Sequence, residues 1–575
     1  MRRPLPVVLC LAFAGLHMLG AETGTTATAQ PAPDPVPAPS VASSEDLKQL
    51  RARIAQQEEQ IKRLQQAVNE QQKLLERSLA AMNASQVKTT DGTTGVVTAA
   101  NSQNNPVQLV PAVGGTRPLV AAAGGGSSSG AAGQKTLTHQ PSALSISIGD
   151  TTFSPLGFVD ATFYGRSTNL GSGIGTNFAQ TPYNNSSIGH LSEANFSTQN
   201  SRIGFRVDST VLGAKVLGYF EADFLGNQPG NVYVTSNADT FRMRNVFVDV
   251  EKNGFEVLGG QDWSLMTPNR KGLSPLPTDI FYTQDMDTNY QAGLVWARQS
   301  QFRFVGHLSP DLTVGASLEN PEQYAGGSAG APSPVFPKAL STLASTQFNT
   351  GATNYAAPNL HPDIVFKGAY DGHVGDKIMH VEAAGLIRSF KFAAPLGAAG
   401  SYRSSTATAA SGEVNANLEV AKGFRLIANT FFGSGNGRYV FGLVPDVVLR
   451  PNGAISPIHT YSTVDGFEAT LHKNTLLYAY YGGVLAKKNT GFDADGKTPI
   501  GYGINVASVA ASQNRAIQEG TLGVTQTLWK SPSYGALSLI TQYSYLTRAP
   551  WYVPANAPKA AHTNMYWIDL RYTLP

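Results

Sequence analysis

The sequence predicts an all-β protein: a transmembrane antiparallel β-barrel of about sixteen strands, with eighteen as the next choice, preceded by an N-terminal α-helical coiled coil and a flexible linker. Three observations predict this class. Charged residues make up only 14% of the 575 residues, whereas Gly (58), Phe (26) and Tyr (22) are abundant. An ordinary globular chain is about a quarter charged. The N-terminus also resembles a secretory signal, and from Leu144 onward apolar and polar residues alternate in segments of roughly ten residues.

The charge and cysteine content exclude several classes of function. The formal net charge is only +3, so no basic surface for nucleic acid is predicted. The single cysteine, Cys10, lies in the apolar part of the signal, which leaves the mature chain without disulfides or cysteine metal sites. None of the ten histidines has the spacing of a metal site or an activated nucleophile. We therefore expect no enzyme, no cofactor and no bound metal.

The N-terminal signal is predicted to occupy residues 1–21. Arg2 and Arg3 precede an apolar run from Val7 to Leu19 and then small residues, which is the pattern of a secretory signal peptide. Cleavage is predicted either after Ala21 or, at the latest, after Ala29. Beyond the signal no stretch of 18 apolar residues occurs, so membrane insertion would require a barrel.

A Pro/Ala-rich spacer at 30–42 is followed by a predicted coiled coil at 43–82. Ser43 and Ser44 precede Glu45 and Asp46, as at the start of a helix. Five heptads then follow, and their apolar seam consists of Leu47, Leu50, Ile54, Ile61, Leu64, Val68 and Leu75. The pattern does not decide between dimer and trimer, and the alternative is a lone amphipathic helix packed on another domain. We expect this segment in the periplasm.

Residues 83–143 are predicted to form a flexible linker. They are rich in Gly, Ala, Ser and Thr, including AAAGGGSSSG at 121–130, and have neither a strand period nor a helical period. The linker either holds the coiled coil away from the barrel or contributes a segment that plugs the pore.

Residues 144–575 are predicted to form the barrel. In Ser201–Asp208, the polar face carries Arg202, Arg206 and Asp208, and the opposite face carries Ile203 and Phe205. The same alternation recurs at Glu413–Val420 and around Phe302, Phe304 and Phe366, as expected of strands with one face in lipid. A soluble β-sandwich also alternates, but it would place more Lys and Glu on its polar faces.

The last segment, Met565–Pro575, is predicted to close the barrel. Tyr566, Ile568, Leu570 and Tyr572 share one face of it. A barrel of sixteen strands is wide enough for a water-filled lumen.

Four short motifs give the chain a resemblance to the DcaP-like trimeric outer-membrane porins. They are SRIGF at 201–205, FEADF at 220–224, FRMR at 241–244 and GGQDW at 259–263. In this order, with the signal, coiled coil and linker before them, they extend the resemblance over most of the chain. The resemblance implies a sixteen-stranded homotrimer in the outer membrane and passive diffusion through a pore narrowed by an inward loop. It also implies a preference for small anions such as dicarboxylates.

The pore-lining candidates lie on the polar faces of the early strands and in one loop. The basic candidates Arg202, Arg206, Arg242 and Arg244 are expected to attract anions, with Glu221 and Asp223 facing them across the pore; the alternative for each arginine is a solvated residue or an ion pair in the wall. The alternation of polar and apolar residues changes phase at Asn245, and this change predicts a bulge or a subunit contact. The Pro-rich segment Ser264–Thr288, with Arg270 and Lys271, is the candidate constriction loop; otherwise it is a surface loop.

The expected partners are outer-membrane lipid, further copies of the chain in a homotrimer, and small anionic or hydrophilic solutes. A periplasmic or cell-wall contact through the coiled coil is also expected, but no nucleic acid. Two alternatives remain. One is a sugar-specific porin, whose stacking track would use Tyr290, Trp296, Tyr478, Tyr480, Tyr481 and Tyr545. The other is an envelope tether in which the barrel is mainly an anchor.

Overall fold

The computed structural model describes residues 142–226, 239–281, 284–327, 330–350, 358–397 and 400–575. The predicted signal, spacer and coiled coil, with all of its seam residues, lie outside the described residues, as does the linker up to residue 141. They remain predictions.

The regular secondary structure of the described residues is almost entirely β-strand. Its strands are β1 (Ile146–Ile148), β2 (Thr151–Arg166), β3 (Glu193–Ser197), β4 (Arg202–Val211), β5 (Ala214–Asp223), β6 (Arg242–Lys252), β7 (Phe255–Trp263), β8 (Arg298–His307), β9 (Leu312–Glu319), β10 (Asp363–Val374), β11 (Lys377–Pro395), β12 (Tyr402–Ala421), β13 (Phe424–Ser434), β14 (Val447–Leu449), β15 (Ile455–Pro457), β16 (His459–His472), β17 (Thr475–Ala486), β18 (Asn489–Phe492), β19 (Pro499–Tyr502), β20 (Asn514–Ser531), β21 (Gly535–Pro550) and β22 (Ala561–Thr573). The helices are α1 (Ser341–Gln347) and 3-10 turns at Phe178–Gln180, Ser187–His190, Lys338–Leu340, Gly437–Tyr439 and Val509–Ala511.

Sixteen of these strands form one closed antiparallel barrel. Starting from β2, the order around the wall is β4 to β13 in sequence, then β16, β17, β20, β21 and β22. The last strand returns to the first, with Phe158 paired to Thr573 and Arg166 to Met565. β1 and β3 add to the edges of β2, and two small sheets, β14–β15 and β18–β19, lie outside the wall order. The predicted closed barrel of sixteen strands is therefore confirmed.

The two faces of the wall differ as the alternation predicts. On β4, Ile203 is 54% exposed and Arg202 is 6% exposed. On β22, Ile568 and Leu570 are exposed, whereas Asp569 is completely buried. Successive side chains of a strand point to opposite faces, so the apolar side chains cover the outside of the barrel and the polar ones face its interior.

The two ends of the barrel are built differently. At one end, tight turns join the strands: Leu212 and Gly213 between β4 and β5 have φ of 52° and 74°, and Asn253 and Gly254 between β6 and β7 have φ of 54° and 81°. Such left-handed pairs match the twist of a β-hairpin. At the other end the connections are long, as between β2 and β4, β7 and β8, β9 and β10, β13 and β16, and β17 and β20.

The largest buried apolar cluster is formed by inward side chains of the wall together with long segments from this end. It includes Phe178, Trp263, Phe281, Trp296 and Tyr439. No helix within the described ranges is long and apolar enough to cross a membrane.

Candidate functional site

The predicted basic residues of the early strands lie on the inner face of the wall and form one charge cluster. Arg202 Nη1 lies 3.2 Å from Glu221 Oε1, and Arg244 Nε lies 2.5 Å from the same oxygen. Arg242 Nη2 and Arg244 Nη1 lie 2.6 and 2.9 Å from Asp223 Oδ2. Buried charges need such partners, because burial without them is expensive.

The sequence led us to expect Glu221 and Asp223 across the pore from the arginines. This prediction is wrong, because both carboxylates lie beside the arginines. They belong to β5, which lies between β4 and β6, so the strand register brings them beside the arginines. The alternation alone could not show this, because it gives the face of a residue but not the identity of its neighbours on adjacent strands.

A β-bulge at Arg244 explains the break in phase at Asn245. Glu221 is paired with Asn245, whereas the next residue, Ala222, is paired with Met243, so Arg244 is the extra residue. Arg244 and Asn245 are both completely buried, and the outward face resumes at Val246. The bulge thus directs Arg244 to the carboxylates, which is the re-aiming of a side chain that bulges commonly achieve.

This arginine cluster carries an excess of positive charge. Its fourth guanidinium, that of Arg298 on β8, lies over the Trp263 ring at 5.6 Å, and the Arg244 guanidinium lies 5.9 Å from the same ring. Three arginines, Arg202, Arg242 and Arg244, share the two carboxylates of Glu221 and Asp223. Among the described residues, Arg202 Nε and Nη2 and Arg244 Nη2 are buried and have no hydrogen-bond partner, so hydrogen bonds compensate the positive charge of these two side chains only in part.

The fourth predicted basic residue, Arg206, lies nearer the tight-turn end of β4. Its Nη2 is 2.6 Å from Asp208 Oδ1, and its side chain is partly exposed. It therefore faces the interior but does not join the arginine cluster.

The predicted constriction loop runs into the interior of the barrel. The backbone amides of Leu265 and Asn269 donate to Glu319 and Glu382 on β9 and β11 at 2.8 and 2.9 Å. The backbone amide of Met286 donates to Gln542 on β21 at 2.6 Å. These acceptors lie on inward faces of widely separated strands, so the segment crosses the interior.

Its two basic residues differ in environment. Arg270 Nη2 lies 2.6 Å from Glu468 Oε1 on β16, whereas Lys271 is exposed. At the end of the predicted range, Asp287 accepts a hydrogen bond from Thr176 N. Ala292 continues the segment beyond that range, and its backbone amide donates to Glu519 at 2.9 Å. Burial raises the pKa of the Asp287 carboxyl, and Arg166 opposes this rise.

The wall opposite the arginine cluster carries carboxylates that the sequence interpretation did not single out. β12 lies eight strands from β4 in either direction around the barrel. Its Glu413 is 1% exposed, and among the described residues neither carboxylate oxygen has a hydrogen-bond partner. Nearby, Lys367 Nζ and Glu382 Oε1 form a buried pair at 2.9 Å. The alternation marked Lys367 and Glu413 as polar-face residues but gave no sign of this clustering.

No group of three or more His, Cys, Asp or Glu residues among the described part of the chain is arranged to hold a metal ion. What the inner face offers is a field of fixed charges of both signs.

No protein-family model and no curated protein matches the chain. Among solved structures, the outer membrane channel DcaP of Acinetobacter baumannii is similar, with a TM-score of 0.53 and 16% identity over 74% of this chain and 99% of that chain. The anion-selective porin of Comamonas acidovorans also aligns, with a TM-score of 0.41 and 13% identity over 74% of this chain and all of that chain. OmpT of Vibrio cholerae aligns with a TM-score of 0.39 and 12% identity over 75% and 99% of the two chains.

The match to DcaP covers nearly the whole of that channel, and the part of this chain that it covers is close in extent to the barrel. The resemblance that the four sequence motifs predicted is therefore confirmed at the level of the fold: this chain has the barrel architecture of the DcaP outer membrane channel.

Proposed function

We propose that this chain is an outer-membrane porin through which small hydrophilic solutes diffuse passively, with a preference for small anions such as dicarboxylates. The observation that carries this proposal is the closed sixteen-stranded barrel with an apolar outside and a charged inside. A barrel can span a lipid bilayer because its backbone groups are paired within the wall.

The outward side chains support the membrane location. Phe302 and Phe304 on β8 and Phe366 on β10 are each at least 50% exposed. An apolar surface of this extent is uncommon on a soluble monomer and is typical of a surface that meets lipid or protein. The match to a known outer membrane channel supports the same location.

The arginine cluster supports the preference for anions. Its excess positive charge lies in a wall that is surrounded by lipid in the proposed location, and a low-dielectric wall focuses the field into the lumen. Arg202 and Arg244 are buried in the wall, so they act on a passing carboxylate through this field. Weak occupancy is sufficient, because conduction requires that solutes leave as readily as they enter.

The proposed constriction element is the segment from Ser264 to Thr288, together with its continuation to Ala297. Its bonds to β9, β11, β16 and β21 support this role, because they hold the segment in the path of a solute. Assembly as a homotrimer and a periplasmic coiled coil belong to the same proposal; the homotrimer rests on the resemblance, and the coiled coil rests on the heptad repeat of residues 43–82.

A sugar-specific porin is the second candidate. Tyr478 and Tyr480 favour it in part, because their rings stack at 5.6 Å on the inner face of β17. The remaining aromatic residues of the candidate track are dispersed: Tyr290 and Trp296 are buried in the crossing segment, whereas Tyr481 and Tyr545 are exposed on the outside.

Liposome swelling with the refolded mature chain separates these functions. We expect faster swelling in a dicarboxylate than in a neutral polar solute of equal size, because the excess positive charge favours anions in the lumen. Faster swelling in maltodextrins would indicate the sugar-specific porin. Equal rates would contradict the anion preference, and no swelling in any solute would contradict the channel itself.

A further inference from the structure

A second segment, which we call the strap (residues 435–458), also leaves the wall and enters the interior. It joins β13 to β16, although these strands are directly paired up to Ser434 and His459. A short hairpin turn would therefore complete the wall, and the strap is not needed to connect it. Its large apolar side chains are nonetheless buried: Tyr439, Val440, Leu443, Val444, Val448 and Ile458 are each at most 1% exposed.

The strap is buried against segments that begin on other parts of the wall. Trp296 N, in the crossing segment between β7 and β8, donates to Tyr439 O at 2.9 Å. The rings of Trp296 and Phe441 are 5.1 Å apart. The ring of Phe178, from the segment between β2 and β4, meets Phe441 edge-on at 6.0 Å.

The strand order shows that these contacts span the barrel. β13 lies six strands from β7 around a wall of sixteen. The strap and the crossing segment start from strands that are far apart in the wall, so they can be in contact only if at least one of them extends over the lumen. The Trp296–Phe441 contact therefore joins segments from well-separated parts of the wall, in the path of a solute that enters from the long-segment end.

A buried ionic network fixes the strap to the wall. Asp446 accepts hydrogen bonds from Arg388 Nη1 on β11 at 2.9 Å and from Tyr324 N at 2.7 Å. Arg388 also donates to Asp363 on β10 at 3.0 Å and to the strap carbonyl of Gly435 at 2.6 Å. Because a buried charge without its partner is strongly unfavourable, this network holds the strap over the lumen.

We propose that the strap is a second constriction element, which meets the crossing segment at the Trp296–Phe441 contact and sets the size limit for solutes. This inference rests on the proposed porin function. It assigns size selection to a segment separate from the arginine cluster, so charge selection and size selection belong to different parts of the lumen.

The test is to replace residues 435–458 by Asn-Gly, which suits a two-residue turn between the paired Ser434 and His459. We expect single-channel conductance to rise by about twofold or more, because a barrel of this size has a wide lumen once inward segments are removed, and we expect larger neutral polymers to enter. The matched control replaces residues 551–560, between β21 and β22, by Asn-Gly. These residues are mostly exposed or half-buried, so conductance should not change.

Unchanged conductance and an unchanged size limit in the strap-less chain, beside a conducting wild type, would overturn the inference and leave the porin function standing. If neither chain conducts, both proposals fail. If the strap-less chain does not fold, Asp446→Asn decides, because it removes the charge that binds Arg388 and keeps the strap. More frequent openings of larger conductance are expected from that variant, and wild-type openings would contradict the proposal.

Discussion

At the scale of single residues, the lumen combines pairing with a local excess of charge. Arg242 and Arg244 are held by Asp223, which makes their burial tolerable. Arg202 pairs with Glu221 through Nη1 and lies 5.2 Å from the Phe158 ring, and its remaining donors have no hydrogen-bond partner among the described residues. The same cluster thus stabilises the wall and leaves a field that favours anions.

Arg202→Gln is therefore expected to lower the anion preference while the barrel still folds, since Glu221 keeps Arg244 as a partner. One charge about 8 Å from a passing ion changes its energy by about 0.5 kcal/mol even at the dielectric constant of water. The anion-to-cation permeability ratio should fall by about twofold or more. Reversal potentials in a salt gradient measure this ratio.

The control for this prediction is Lys215→Gln. It removes the same charge from the tight-turn end of β5, where the side chain is 47% exposed and pairs with Glu251. Salt screens such exposed charges, so the permeability ratio should remain that of the wild type. Equal losses in both variants would show that net charge, and not the arginine cluster, determines selectivity.

At the scale of elements, the strands were predictable and the destinations of the long segments were not. Alternation over Ser201–Asp208 and Met565–Pro575 assigned the faces of β4 and β22 correctly, because period two is a local property of the chain. The bulge at Arg244 appeared only as a break in phase. Contacts such as Arg270 with Glu468 join residues far apart in sequence, and no local pattern specifies them.

The outward faces give a prediction about insertion. Ile568→Lys on β22 places a charge on the lipid-facing side near the middle of the strand, where Ile568 is 49% exposed. A lysine at the bilayer midplane of a barrel costs about 2–4 kcal/mol. The fraction of chain that folds into lipid vesicles, measured by heat-modifiable mobility in gels, should therefore fall.

Tyr534→Lys is the matched substitution in the tight turn between β20 and β21, where the side chain is 68% exposed. A charge at the interface costs about 0–1 kcal/mol, so folding into vesicles should be close to that of the wild type. If both variants insert equally well, the outer face of β22 does not lie in lipid.

At the scale of the whole molecule, the barrel separates three tasks. Its outer face provides apolar surface for lipid, its inner face provides fixed charge, and the long segments of one end extend into the interior. The arginine cluster on β4 to β8 and the carboxylates of β12 and β16 lie on opposite walls. A solute that passes between them experiences a transverse field, which orients dipolar molecules without binding them tightly.

The most direct test of the central claim is single-channel recording of the refolded mature chain in planar bilayers, with reversal potentials in a salt gradient. A water-filled porin with this basic cluster should give discrete conductance steps, grouped in threes for a trimer, and a reversal potential of the sign that indicates anion preference. Bilayers that contain the folded barrel and show no conductance steps would contradict the channel. A cation-selective reversal potential would contradict the role of the arginine cluster.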